Sequence, residues 1–268
     1  MSVGALIFAI NNEGIDYLRM AAWSAERIHR HLDIPVCVVT DASTRGMKMF
    51  DRVLDIERYE HDTRRYFEDL DASVTWYNHN RCDANLFTPW RQTLVLDADY
   101  VVASDRLRLL LDSSEDFLCH RWAYDVAARP GHEDLNYFGR VRMPMSWATV
   151  MMFRKGAVAD HVFGVMNMVK ENWVHYKDLY GINSRTYRND HALSIALNIL
   201  SGHTGNQNAI AWDLASVMPD SRLSQISDDH FRVDYRAQDG RARWVDIADH
   251  DFHAMGKKHL GDIIASTS

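Results

Sequence analysis

Two continuous apolar runs at the start of the chain, Val3-Gly4-Ala5-Leu6-Ile7-Phe8-Ala9-Ile10 and Ile34-Pro35-Val36-Cys37-Val38-Val39-Thr40-Asp41, leave few choices of fold. Runs without polar alternation read as strands covered on both faces. Between them Leu18, Ala21, Ala22, Ala25 and Ile28 recur at helical spacing, after a turn at Asn11-Asn12-Glu13-Gly14 and with Asp16 near the helix start. Strand, helix and strand in that order form a βαβ unit, whose strands are parallel and whose crossover is right-handed. Further strands are expected at Arg52–Ile56, Thr93–Leu96 and Trp147–Arg154, with helices at Gly156–Asn172 and Asp190–Leu200. The segment Ala209–Val217 and a polar tail through Ser268 close the chain. The expected class is α/β, with a Rossmann-like, mostly parallel central sheet flanked by helices, in a single domain over residues 1–268.

The run Thr93-Leu94-Val95-Leu96-Asp97-Ala98-Asp99-Tyr100-Val101-Val102 ends a buried strand in two carboxylates. In a strand, residues i and i+2 point to one side, so Asp97 and Asp99 are expected to leave the sheet together. Two hard oxygen donors at a strand's carboxyl end form half of a divalent-cation site, and open α/β sheets bind ligands at that end. The plainer alternative is a loop that begins with acids. No Gly-x-Gly-x-x-Gly follows the first strand and no Gly-x-x-x-x-Gly-Lys-Ser/Thr occurs, which disfavours a dinucleotide oxidoreductase and a P-loop enzyme.

A formal net charge of −7 argues against bulk electrostatic coating of nucleic acid, although Arg140 with Arg142, Arg241 with Arg243, and Lys257 with Lys258 are local basic clusters. Cys37, Cys82 and Cys119 are far apart and read as reduced structural residues. No apolar stretch approaches the roughly 18 residues of a membrane span, and Met1–Ile10 lacks a basic start, so a cytoplasmic location is expected.

Four places taken together resemble the metal-dependent nucleotide-sugar glycosyltransferases of GT-A fold: the first strand with Asn11-Asn12, Asp97-Ala98-Asp99, Arg188-Asn189-Asp190-His191-Ala192-Leu193, and Asp251-Phe252-His253-Ala254-Met255-Gly256-Lys257-Lys258. The chain is similar to retaining members of the glycogenin and bacterial galactosyltransferase type. Its general look, including Gly4-Ala5-Leu6-Ile7-Phe8-Ala9 and Trp23-Ser24-Ala25, is also similar to glycosyltransferases of tailed phages. The resemblance implies that residues 1–104 bind the nucleotide sugar, and that 105–268 bind the acceptor and carry a late metal-ligand segment.

By the same resemblance Asp97, Asp99 and His253 bind Mn²⁺ or Mg²⁺ on the diphosphate of a donor, typically a UDP-sugar, with His253 and Gly256 matching a His-x-x-Gly motif. Two carboxylates and one imidazole suit either ion, the nitrogen favouring Mn²⁺. The family's lysine stands three residues after that glycine, where this chain has His259; Lys258 is the chosen diphosphate ligand and Lys257 its competitor. Asp190 is the expected catalytic residue, facing sugar or acceptor, with a plain N-cap as its competing role. Arg81, with Asn78 and Asp83, is expected around the donor, and Asn11 and Asn12 around base and ribose unless they merely build a turn. Trp76-Tyr77 and Trp122-Ala123-Tyr124 read as core aromatics, with stacking on a sugar or base as the alternative, and the loop from Asp125 to Met145 is long enough for an acceptor lid.

The implied reaction moves a sugar to a hydroxyl with retention. The phage-like look makes a 5-hydroxymethylated pyrimidine in DNA the expected acceptor, with the basic clusters along the duplex; a glycan or cell-envelope acceptor is the alternative. Two rival readings remain at this level. Asp97-Ala98-Asp99-Tyr100-Val101 also fits the nucleophile motif of haloacid-dehalogenase-like phosphohydrolases, with Asp228-Asp229 as the later acidic pair. The other rival is a binding module that recognises nucleotide sugar or glycan without turnover.

Overall fold

The computed structural model describes residues 2–41, 45, 47–57, 64–183, 186–204 and 209–267. The first βαβ unit is β1 (Val3–Phe8), α1 (Tyr17–Leu32) and β2 (Val36–Asp41), followed by β3 (Arg52–Ile56). Asp16 caps α1, its carboxylate accepting from the Arg19 amide at 3.0 Å, and Asp33 in the left-handed region ends it. A hairpin, β4 (Arg64–Phe67) and β5 (Ala72–Thr75), turns through a 3-10 segment, Glu68–Leu70. A second 3-10 turn at Asn80–Asp83 and α2 (Ala84–Phe87) lead into β6 (Gln92–Leu96).

Beyond β6 come β7 (Tyr100–Val101), α3 (Arg108–Leu111), β8 (Phe117–His120), β9 (Ala123–Asp125) and the short pair β10 (Tyr137–Phe138) and β11 (Met143–Pro144). β12 (Trp147–Arg154), α4 (Ala157–Glu171), α5 (Trp173–Tyr180) and α6 (Asn189–Leu200) follow. The last stretch holds β13 (Leu214–Val217), β14 (Arg222–Ser227), β15 (His230–Arg236), β16 (Ala242–Ala248), β17 (Phe252–Ala254) and α7 (Lys257–Thr267).

The central sheet has the order β3-β2-β1-β6-β12-β8, parallel from β3 to β6 and antiparallel at β12 and β8. From β1 the chain moves outward one way to β2 and β3, and then returns to the other side of β1 as β6. The carboxyl ends of β1 and β6 therefore flank the switch point where a crevice opens.

Alternate residues of the strands feed two buried clusters, one on each face. Ala5, Ile7, Val36, Val38, Leu94, Leu96, Val150 and Met152 pack with α1 and α7, while Leu6, Phe8, Cys37, Val39, Val95, Met151 and Phe153 pack with α4 and α6. That two-sided burial is why these strands carry no polar alternation. All three cysteines are free and buried in this interior.

The polar tail expected after Val217 is structured. β14, β15 and β16 form an antiparallel sheet whose Leu223, Phe231, Val233 and Ile247 are buried, with polar residues alternating on the outer side. α7 buries Leu260, Ile263 and Ile264 at helical spacing. The alternation is legible in sequence, but its charged outer face dominates the composition and conceals it. A second small sheet, β7-β17-β13-β9, joins segments more than 100 residues apart and covers the crevice side of the fold. No helix among the described residues is long and apolar enough to cross a membrane.

Candidate active site

β6 ends at Leu96, and Asp97 lies in the turn that follows rather than in the strand. The Asp97 amide donates to Thr149 O at 2.9 Å, continuing the β6–β12 ladder, and the Tyr100 amide donates back to Asp97 O at 3.1 Å. The two aspartates thus come together through a tight turn, not through the period of a strand as expected. β17 lies antiparallel to β7 with His253 opposite Tyr100, and the Ala254 amide donates to Asp99 O at 3.0 Å. This sheet carries His253 across 150 residues of sequence to the acid pair. Ligand atoms of Asp97, Asp99 and His253 all lie within 4.8 Å of one another.

The donor set fits a divalent cation. Asp99 and His253 are buried, His253 Nε2 stands 3.4 Å from Asp99 Oδ2, and the edge of Trp147 holds the imidazole at 6.1 Å between ring centroids. Two carboxylates and an imidazole suit Mn²⁺ or Mg²⁺. Each acid also has a cation of its own. Arg81, from the 3-10 turn before α2, pairs with Asp97 and reaches Ala148 O at 3.4 Å; Lys257, the first residue of α7, pairs with Asp99. Burial opposes the charge on Asp99, but Lys257 and His253 overcome it and hold the carboxyl well below the usual range.

Asp190 lies in the first turn of α6. It does not cap its own helix: Oδ1 accepts from the Ala148 amide of β12 at 3.0 Å and Oδ2 from Arg188 at 3.1 Å. Burial raises its pKa, and Arg188, the Ala148 amide and Arg81 more than reverse that, so the net shift is downward. Asn78 clamps the end of β1, donating to Ile10 O and accepting from the Ile10 amide, while its own carbonyl accepts from Asn189 at 3.0 Å.

These groups line one cavity of about 400 Å³, a size suited to a small-molecule ligand. Asp97, Asp99, His253 and Lys257 stand on one side, Arg81, Arg188 and Asp190 on another, and the β4–β5 hairpin supplies Arg65 to Asp69 as a cover. Four fixed cations, Arg65, Arg81, Arg188 and Lys257, share the lining with Asp97, Asp99 and Asp190, and at its edge with the exposed Glu68 and with Asp69, which accepts from the Lys258 amide. Asp97 and Asp99 are each already paired with a cation, and a divalent ion held between them would make the local sign favourable for a bound anion.

Other residues singled out in the sequence lie elsewhere. Asn11 accepts from the Leu18 amide at 2.8 Å and donates to Asp16, and Asn12 accepts from the amides of Gly14 and Ile15, so both build the β1–α1 turn outside the cavity. Gly256 packs on Pro219, off the lining. Lys258 is exposed, its amide donating to Asp69 at 2.7 Å, and its side chain lines a groove beside α1; Lys257 is the lysine in the cavity. Asp83 accepts from Asn167 at 2.9 Å, and Trp122 packs edge-on to Tyr137, both outside the cavity, whereas Trp76 lines it.

No residue from 125 to 145 lines the cavity; Asp125 is bound to Arg129, which also pairs with Asp220. Residues 205–208 lie outside the described residues. Arg65 and Thr149 had no signal in the sequence, since a lone arginine in a short hairpin and a threonine in an apolar strand are ordinary there.

The acid pair lies at the switch point of a mostly parallel sheet flanked by helices, the layout that the GT-A resemblance implies. Solved structures similar to it include the glycosyltransferase GlyE of Streptococcus pneumoniae TIGR4, with 12% identity over 79% of this chain and 46% of that one and a TM-score of 0.42. They also include the galactosyltransferase LgtC in complex with donor and acceptor sugar analogues, with 13% identity, coverage of 74% and 70%, and a TM-score of 0.48. Mouse xyloside xylosyltransferase 1 has 12% identity, coverage of 80% and 86%, and a TM-score of 0.44. The chain spans under half of the length of GlyE. No family model and no curated protein matches the sequence. These are likenesses of fold; substrate and reaction are properties of the site.

Proposed function

We propose that the protein is a divalent-cation-dependent glycosyltransferase that moves a sugar from a nucleoside diphosphate donor to a hydroxyl, with retention. The observation that carries this reading is the triad Asp97, Asp99 and His253 at the sheet's switch point, with Arg81 and Lys257 beside it. When bound, the cation neutralises charge that develops on the diphosphate as the sugar–phosphate bond breaks. Arg81 and Lys257 donate hydrogen bonds to phosphate oxygens. Asp190, held by the Ala148 amide and Arg188, orients the sugar through its hydroxyls.

In the transfer the bond from the anomeric carbon to phosphate oxygen breaks, its electron pair staying on the oxygen, and a bond from the acceptor oxygen forms. Asp190 is a weak base because its charge is stabilised, which favours release of the acceptor proton to the leaving phosphate and hence retention. A UDP-sugar donor and a 5-hydroxymethylated pyrimidine acceptor in DNA are the specific proposals, the latter supported only by the sequence resemblance and the basic clusters. Of those clusters, Arg241 and Arg243 share Asp239, and Arg142 lies over Tyr137.

The phosphohydrolase reading has no support from Asp228 and Asp229. Asp228 pairs with Arg30, and Asp229 with Arg27 and His31, away from the cavity.

Mass spectrometry of reactions with Mn²⁺, nucleotide sugars, and either hydroxymethylated DNA or glycan acceptors tests the proposal. A gain of one sugar mass is expected, lost by at least 100-fold in Asp97→Asn and Asp99→Asn. Turnover unchanged in both variants would overturn it.

A further inference from the structure

We propose that Arg65 and Arg188 form a second anion subsite in the cavity, for a carboxylate or phosphate that the substrate carries in addition to the donor's diphosphate. The inference rests on the proposed function and deepens it. Within the cavity each deep carboxylate has a cation: Asp97 has Arg81, Asp99 has Lys257, and Asp190 has Arg188. Arg65 is left over. Among the described residues it has no hydrogen-bond or ion-pair partner, and its guanidinium lies over the rings of Phe67 and Trp76 at 5.3 and 5.8 Å.

Trp76 continues to Tyr187 at 6.4 Å between centroids, and Tyr187 is the neighbour of Arg188, so hairpin and α6 start converge on one wall. Asp190 carries one negative charge, which pairs with Arg188 and also acts on Arg65 and Arg81, so it does not balance all three guanidiniums. Arg188 keeps its Nε buried without a partner. Burial and the neighbouring Arg188 both disfavour charge on Arg65, yet a guanidinium does not deprotonate near neutral pH. Glu68 and Asp69 do not compensate: Glu68 is exposed, and Asp69 accepts from the Lys258 amide at the other end of the hairpin. Two guanidiniums on one wall with a single shared carboxylate leave a charge for a substrate anion to match.

Titration calorimetry with Mg²⁺ and inorganic pyrophosphate, followed by inorganic phosphate, tests the subsite without assuming a nucleobase. One pyrophosphate and then one phosphate are expected to bind. Arg65→Met should weaken the phosphate step at least tenfold and leave the pyrophosphate step within twofold, while Arg65→Lys should recover most of the loss. Equal weakening of both steps would assign Arg65 to the diphosphate and overturn the inference, as would the absence of a phosphate step. Absence of the pyrophosphate step would overturn the proposed function, and with it this inference. Two further arms identify the source of the anion: UDP-glucuronate against UDP-glucose for the donor sugar, and glycerol 3-phosphate against glycerol for the acceptor. A tenfold preference for the charged member, lost in Arg65→Met, supports the inference in either arm; no preference in both overturns it.

Discussion

At the scale of single residues, the interior of this protein takes in titratable groups that a plain apolar core would exclude. His191 is stacked between Phe138 at 4.4 Å and Trp173 at 6.1 Å, and His120 Nδ1 donates to Trp212 O at 2.9 Å. Burial, aided by Arg188, pushes His191 down to about 3, and burial pushes His120 down to about 4. A histidine whose folded pKa lies below its unfolded value is protonated first in the unfolded chain. Stability is therefore lost as pH falls from the unfolded pKa, about 6.5, toward those folded values. For His191 the loss at pH 4.5 is on the order of 2–3 kcal/mol. His191→Phe keeps a ring in the stack and removes the proton site, so its melting temperature should fall less than the wild type's between pH 6.5 and 4.5. Parallel curves would refute the assignment.

At the scale of elements, the triad of Asp97, Asp99 and His253 depends on two strands of two and three residues. β17 holds His253 beside Asp99 through the Ala254 amide, and Met255 donates to Val217 O at 3.0 Å. Proline at 254 has no N–H to give. Ala254→Pro is expected to weaken Mn²⁺ binding at least tenfold while the circular dichroism spectrum of the central sheet and helices stays near that of the wild type. Retained affinity, measured by calorimetry, would mean that His253 reaches the site without the strand. The β4–β5 hairpin is the other element that matters, because it closes the cavity in place of the 125–145 loop.

At the scale of the whole molecule, the cavity draws on both halves of the chain, from Phe8 to Lys257, so a ligand there ties them together. Mn²⁺ with a nucleoside diphosphate at 100 times its dissociation constant adds about 2.7 kcal/mol, which corresponds to a rise of roughly 5–10 °C in melting temperature. Either component alone should give much less, since Arg81 and Lys257 are held by Asp97 and Asp99 until a cation takes the two acids. A scanning-fluorimetry matrix of the two components checks this, and additive small shifts would count against a shared site.

The local features of the chain were legible without coordinates. Apolar runs such as Val36–Val39, rich in β-branched residues, read as strands covered on both faces, and Asp97 and Asp99 follow the end of one. Arg81, Asp190 and His253 were readable through resemblance alone. What the sequence could not tell is which lysine reaches the acid pair, that Asn11 and Asn12 spend their side chains on a turn, and that Arg65 hangs into the cavity. Those outcomes depend on how α7 and the hairpin dock, and docking is decided by long-range packing of surfaces that no local period encodes. The sequence by itself determined the apolar strands of the central sheet, the helices α1, α4 and α6 and the acid pair, because period and propensity act over a few residues; the tertiary structure alone decided which distant cations and imidazole meet that pair.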